Sequence, residues 1–340
     1  MSKVLISLTP TGKFFFGGDM SFSVNSKSAQ RQKEQYASYI IKSNAFPQQT
    51  SLLGMLRFLI LSNDAKAFNA QSQRIINKSE AAKLIGERSF MVGKSNCFGV
   101  IKGISGCFLQ EKRDDKWIDL LLAPKDLNFK SKLIQNSKAT INNKKVDLYE
   151  LDGCDSKNSE SIQFIESVGK KKEEILPYQF SDVFIEDCRV GINRDLKTGK
   201  TDDESLFKQI SYRLNDEKGS FRFAFYADIE LDELSCFNHQ LVSLGGDSSC
   251  FVVTCEKVDI ENELKLPSDY DLNLKVVLTS DAYIESSDIE NVSFAITKTV
   301  PFRFLQTTVD TKSYNRLSGE IKPSKRLSLY QSGSVFFFKD

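Results

Sequence analysis

The segment from Ser220 to Leu231 constrains the fold most. Phe221, Phe223 and Phe225 alternate with Arg222, Ala224 and Tyr226, the period of a half-buried strand. Ser205 to Leu214 precedes it across Asn215-Asp216-Glu217-Lys218-Gly219, a spacing that predicts a hairpin. Val4 to Leu8, Phe184 to Ile192, Lys275 to Thr279, Val292 to Thr297 and Ser334 to Phe338 also read as strands, and residues 90–122 as a strand-rich stretch punctuated by glycines. Leu241 to Leu244 and Cys250 to Cys255 read as two more around Gly245-Gly246-Asp247-Ser248-Ser249. Helices are few. Leu52 to Leu61 is apolar nearly all round, which predicts a well-buried helix, with Thr50 or Ser51 as its N-terminal cap. A second is expected from Ser79. The sum is α+β. A length of 340 residues suits two domains, or one with large insertions; the polar 126–176 stretch reads as the softest part, an insertion or linker.

No apolar run is long enough to cross a membrane, and the short Val4–Leu8 run does not make a secretory signal, so the chain is expected in the cytoplasm. Seven cysteines without a CxxC pair read as small buried residues rather than disulfides or metal ligands. The 26 phenylalanines fill cores or, where exposed, stack on bases. The formal net charge of +1 hides an asymmetry: residues 1–110 carry a net +9, residues 302–340 a net +4 and residues 228–290 a net −12. Phosphate binding is mostly electrostatic, so an RNA face draws on the two ends of the chain, and the acidic stretch faces solvent or a basic partner. Ordinary solvated surface explains the same charges.

Candidate chemistry is sparse. The Gly245–Ser249 loop combines glycines, which let backbone N–H groups approach a phosphate, with two hydroxyls; a plain hairpin turn explains it equally well. Gly-Gly-Asp occurs at Gly17-Gly18-Asp19 and Gly245-Gly246-Asp247, but Met20 and Ser248 follow where a palm-type cyclase places a further acid for its metals. Thr198-Gly199-Lys200-Thr201 imitates the end of a P-loop, yet Arg194 stands where the first glycine belongs. His239 is the only imidazole, with no flanking nucleophile or base. Lys322-Pro323-Ser324-Lys325-Arg326 suits a groove that tracks an RNA backbone, or a solvated turn. No metal, cofactor or catalytic group is expected.

Several segments together resemble the CRISPR-associated RAMP superfamily, and within it the third-subunit family of type III-B (Cmr) effector complexes. They are Leu8-Thr9-Pro10 with Phe14-Phe15-Phe16-Gly17-Gly18; Phe46-Pro47 leading to Thr50-Ser51-Leu52-Leu53-Gly54-Met55-Leu56-Arg57; Arg189-Val190-Gly191-Ile192 with Ser205-Leu206-Phe207; Leu244-Gly245-Gly246; and Gly333-Ser334-Val335-Phe336. Gln48-Gln49 departs from the family, which usually has a further proline and a small residue there. The resemblance implies two ferredoxin-like (RRM-like) RAMP domains with glycine-rich loops, here 1–185 and 186–340. It implies a non-catalytic subunit that binds the repeat-derived 5′ tag of the guide RNA and sits between the large Palm-domain subunit and the backbone RAMP subunit, with target RNA touched indirectly. A thumb hairpin is expected from 195–220 or 126–176.

Splayed bases, stacking and backbone contacts are the means by which a single-stranded tag is held. The expected RNA contacts are Lys13, Lys42, Thr50, Ser51 and Arg57 near the first helix; Arg189 and Arg194 at the domain junction; Gly245, Gly246, Ser248 and Ser249 in the loop; and Lys322, Lys325 and Arg326 near the C-terminus. Arg57 has a structural alternative, one turn into a buried helix. Two rival readings share the fold: a RAMP endonuclease that cuts precursor guide RNA, and a scaffold that touches protein alone.

Overall fold

The computed structural model describes residues 2–17, 20–22, 39–87, 90, 97–127, 133–141, 144–151, 163–194, 201–231, 237–258, 264–302, 305–307, 321–323 and 327–338. Its centre is a nine-stranded sheet. In order across the sheet stand β12 (Pro177–Tyr178), β11 (Phe164–Glu166), β8 (Lys116–Leu122), β7 (Phe108–Arg113), β15 (Ser220–Ile229), β1 (Ser2–Pro10), β17 (Cys250–Val258) and β16 (Leu241–Ser243). The ninth strand, β6 (Ile101–Ile104), pairs with the far end of β15. Strands from both sides of residue 185 thus share one sheet.

The Phe221–Phe225 alternation does mark a strand, but one buried on both faces: Arg222 and Tyr226 are as enclosed as the phenylalanines. Val4, Ile6 and Leu8 of β1 and Phe223 and Phe225 of β15 point to one core, against α1 (Gln49–Ser62) and the aromatic segment Phe14–Phe16. Leu5, Ala224 and Tyr226 point to a second core with Phe108, Leu121 and Ile165. Much of the phenylalanine load is spent in the first. Phe14 meets Phe223 edge-on at 5.2 Å between centroids, and Phe16 stacks on Phe251 at 5.7 Å. Each buried ring contributes roughly 2–3 kcal/mol.

The expected hairpin between Ser205–Leu214 and Ser220–Leu231 does not form. The first segment lies in β14 (Thr201–Leu214), which pairs with β13 (Phe184–Arg194) and, in parallel, with β3 (Tyr39–Lys42). Together with β2 (Met20–Phe22) they make a separate four-stranded sheet. The turn at Asn215 is a corner between sheets: its N–H donates to Val183 O at 2.8 Å and its side-chain amide to Ser181 O at 3.0 Å. Buried Asn215 is tied to the chain before β13, so β15 leaves towards β1 and β7.

Three further differences from expectation have local causes. α1 begins at Gln49 with Gln48 extended before it and no side-chain cap, so Thr50 and Ser51 lie inside the first turn. The helix is buried along Leu52, Leu56, Leu59 and Ile60 but leaves Phe58 49% exposed. α2 (Lys78–Ile85) starts one residue earlier than Ser79, because Asn77 accepts the Glu80 N–H on its side chain. Within 126–176, β9 (Leu133–Ile141) and β10 (Lys144–Leu151) form a hairpin, but β11 is core: Phe164 and Ile165 are fully enclosed. The Gly245–Ser249 turn joins β16 to β17 as expected.

The C-terminal part adds a three-stranded sheet of β18 (Lys275–Val277), β24 (Val335–Phe338) and β19 (Val292–Ile296), and the pairs β20 (Thr299–Phe302) with β23 (Leu327–Tyr330) and β21 (Leu305–Thr307) with β22 (Ile321–Pro323). β4 (Phe68–Asn69) and β5 (Arg74–Ile75) pair between the helices. Among the described cysteines Cys255 is buried, but Cys97 and Cys188 are exposed, contrary to expectation. No helix among the described residues is long and apolar enough to cross a membrane.

Candidate nucleic-acid interface

Segments distant in sequence meet at the Phe14–Phe16 run. Phe14 exchanges backbone hydrogen bonds with Tyr212 of β14 at 2.7 and 3.0 Å, and Gly246 N–H donates to Phe15 O at 2.7 Å. Ser249 Oγ accepts the Phe15 N–H at 2.9 Å and donates to Gly246 O. Gly245 has φ +94°, and a Cβ on it would stand 2.3 Å from Phe15 O. The glycine pair and buried Ser249 therefore serve a backbone clasp, which is the turn reading of that loop. Asp247 and Ser248, both left-handed and exposed, form its outer rim.

The clasp brings three of the expected cations or loops to one place. Lys13 Nζ lies 3.4 Å from Asp187 on β13, and Arg189 Nε lies 3.8 Å from the same carboxylate oxygen. Arg189 stands opposite Gln209 of β14, whose side chain donates to Asp247 on the loop. Lys13, Arg189 and the Asp247–Ser248 rim thus border one surface. Lys42 belongs to the other face of this sheet, because it pairs with Glu186, the strand neighbour of Asp187, at 2.6 Å. That bond raises the Lys42 pKa above the usual lysine value, against a smaller opposing effect of burial.

The remaining expected contacts are placed apart from this surface or lie outside the described residues. Arg57 donates from Nε to Ile85 O at 2.8 Å and from Nη2 to Gly86 O at 3.4 Å, closing the C-terminus of α2. Its structural alternative accounts for those contacts. Arg194 ends β13 opposite Thr201, and Lys322 sits in β22 opposite Gln306. Lys325 and Arg326 lie outside the described residues, as do Gly18 and Asp19 of the first Gly-Gly-Asp and residues 198–200 of the P-loop-like run. His239 is exposed with φ +64°, and its N–H donates to Val253 O.

Sequence reasoning missed a cavity of about 370 Å³ at the head of α1. Gln48, Gln49 and Thr50 line it, with Phe46, Phe98, Phe302, Leu329 and Asp281. Asn44 joins it to the clasp: its N–H donates to Phe16 O, and its side chain to Gly17 O at 2.5 Å. Thr50 therefore does reach a candidate site, though as a wall residue and not a cap. The cavity draws on segments far apart in the chain, and no local motif announces it. Among the described residues no group of three or more His, Cys, Asp or Glu is arranged to hold a metal ion.

A family model described as CRISPR-associated protein (Cas_Cmr3) matches residues 6–340. Two cryo-EM structures are similar to the chain. One is the Type III-B Cmr-beta bound to cognate target RNA and AMPPnP, state 1, with a TM-score of 0.46 and 11% identity over 98% of this chain and 86% of that chain. The other is the Type III-B Cmr-beta bound to cognate target RNA, with a TM-score of 0.46 and 12% identity over the same shares of the two chains, 98% and 86%. No curated protein matches. Because the family model spans residues 6–340, the chain belongs to the CRISPR-associated protein (Cas_Cmr3) family, the third-subunit family of type III-B (Cmr) antiviral effector complexes that its sequence resembles.

Proposed function

We propose that the chain works in the cytoplasm as a non-catalytic subunit of a type III-B RNA-guided effector complex. It holds the repeat-derived 5′ tag of the guide RNA and bridges the large Palm-domain subunit to the backbone RAMP subunit, with target RNA reached indirectly. In this reading the chain is built from two ferredoxin-like RAMP units, and the thumb comes from 195–220, whose described part lies in β14 beside the patch, or from 126–176, which holds the β9–β10 hairpin.

The observation that carries the proposal is the convergence of Lys13, Arg189 and the Asp247–Ser248 rim on one surface at the Phe15–Gly246 clasp. Arg189 is 65% exposed, and its pair with Asp187 is solvent-facing, while Lys13 is half-buried beside the same carboxylate. An exposed pair holds its partners weakly, so Arg189 can exchange Asp187 for phosphate at little cost, with Lys13 beside it. A groove that tracks the backbone with cations while bases splay away is the usual means of holding a single strand. The only imidazole, His239, makes its described contact through the backbone, which favours a binding role over the cutting of precursor RNA.

The test is binding of the chain, alone and with its neighbouring subunits, to guide RNA with the true tag and with the tag scrambled, at two salt concentrations. A preference for the true tag is expected. Arg189→Ala should weaken binding and lower the salt slope by about 1. Equal weak binding to both RNAs in every context would overturn the proposal and leave the protein scaffold.

A further inference from the structure

The cavity at the head of α1 has a wall chemistry that selects its occupant. Phe46, Phe98 and Phe302 supply aromatic surface, and Leu53, Ile104, Leu122 and Leu329 supply aliphatic surface. Among the described residues no lysine or arginine lines it, so none of the described wall groups offers a phosphate a cation. Its titratable wall groups are Asp281, Cys107 and Tyr283. Burial pushes the Cys107 thiol well above its ordinary pKa, so among the described wall groups Asp281 is the acid that faces an occupant. Asp281 Oδ1 accepts the Ser332 N–H at 2.9 Å; no other hydrogen bond to this carboxylate occurs among the described residues. A half-buried carboxylate with spare acceptor capacity calls for a neutral N–H donor.

We propose that this cavity is a base pocket: it takes one unstacked nucleobase that carries an amino group, read by the Asp281 carboxylate, with the phenylalanines as the apolar wall. The size is that of a small-molecule site. Adenine and cytosine present an exocyclic amine to an acceptor, and guanine presents an amine beside a ring N–H. Uracil presents two carbonyl oxygens around a single N–H, so the carboxylate repels it. The proposal deepens the guide-RNA reading and rests on it. Asn44 ties the cavity to the Lys13–Gly17 segment, so a strand on the Lys13–Arg189 surface has a short path for one base to turn inward. A free mononucleotide offers the same base chemistry.

The experiment measures binding of the full chain to short oligo(A), oligo(C), oligo(U) and abasic RNAs, and to AMP, CMP and UMP. Wild type should prefer the amino-bearing RNAs over oligo(U) by roughly tenfold, as fits a hydrogen bond to a charged group. Asp281→Asn should erase that preference and keep the salt slope. Tyr283→Ala, at a rim residue 54% exposed and so safe for folding, should weaken oligo(A) more than abasic RNA. Mononucleotides that bind as tightly as the matching RNA identify a free nucleotide as the occupant; much weaker binding identifies a base turned in from the strand. Tight RNA binding with no base preference, or a preference that survives both variants, overturns the pocket and leaves the phosphate surface standing. Failure of wild type to bind any of these RNAs or nucleotides overturns the pocket, while the guide-RNA reading stands or falls on the tag comparison.

Discussion

The guanidinium of Arg222 lies on the indole of Trp117, its central carbon 3.8 Å from the ring centroid. Arg222 comes from β15 and Trp117 from β8, two strands away across β7. Between them Gln110 accepts from Arg222 Nε at 2.8 Å and donates to Asp119 at 2.7 Å. Tyr226 donates to the other oxygen of Asp119. Burial raises the Asp119 pKa, with the Gln110 and Tyr226 bonds and the Arg222 charge acting against it. This network lets a charged residue sit inside the sheet.

Arg222→Lys keeps the charge but loses the planar stack and the Nε bond to Gln110. It should cost about 2 kcal/mol. Trp117 is the only tryptophan, so urea unfolding followed by its emission reads both the midpoint and the local environment. An unchanged midpoint would show that the stack contributes nothing.

The Gly245 loop separates structure from binding. Gly245→Ala forces a side chain into a left-handed position against Phe15 O and should destabilise the chain by about 2 kcal/mol or more. Ser248 is exposed, so Ser248→Ala should leave the melting temperature unchanged and weaken tag RNA binding severalfold. Loss of stability in Ser248→Ala, or full stability in Gly245→Ala, would reverse these two assignments.

Lys275 and Asp126 form a buried ion pair at 2.9 Å, with side chains 2% and 0% exposed. Tyr270 also donates to Asp126, and burial with that bond raises the Tyr270 pKa far above normal. Lys275→Met strands a carboxylate in the interior and should cost about 3–5 kcal/mol. The double variant Asp126→Leu with Lys275→Met should recover much of that loss in the same unfolding assay. If the losses simply add, the two charges are not coupled.

The strands were legible where local pattern decides them. The alternation at Phe221–Tyr226 and the glycine turn before Cys250 each encode an element in a few residues. Pairing was not legible, because the partner of β14 is set by the corner at Asn215 and not by the length of the turn. Site residues divide the same way. Charge placed Lys13 and Arg189 at the surface, but only the Phe15–Gly246 clasp brings them to one loop. Arg57 looked like a phosphate ligand because sequence does not show that the carbonyls of Ile85 and Gly86 already occupy it. Asp281 drew no notice, since a lone acid in an acidic stretch has no motif; its setting comes from β20, β23 and α1 together.

Asp281 also gives a pH dependence whose sign is fixed. Burial raises its folded-state pKa above the usual carboxylate range, with the Ser332 N–H bond opposing. The folded chain therefore holds this proton more tightly than the unfolded chain. The ionised carboxylate is a cost at neutral pH that is relieved as pH falls through the raised value. Asn at this position still offers an oxygen to the Ser332 N–H but carries no charge. Asp281→Asn should be at least as stable as wild type at neutral pH, and its advantage should shrink on acidification and vanish once wild-type Asp281 is protonated. Urea midpoints of both proteins from about pH 7 down to about pH 4 follow the difference. Over the same range the wild-type preference for amino-bearing bases should fade, because a protonated carboxyl offers a donor that uracil accepts as readily. A stability difference independent of pH would mean that Asp281 is not the group that titrates, and would take the base preference with it.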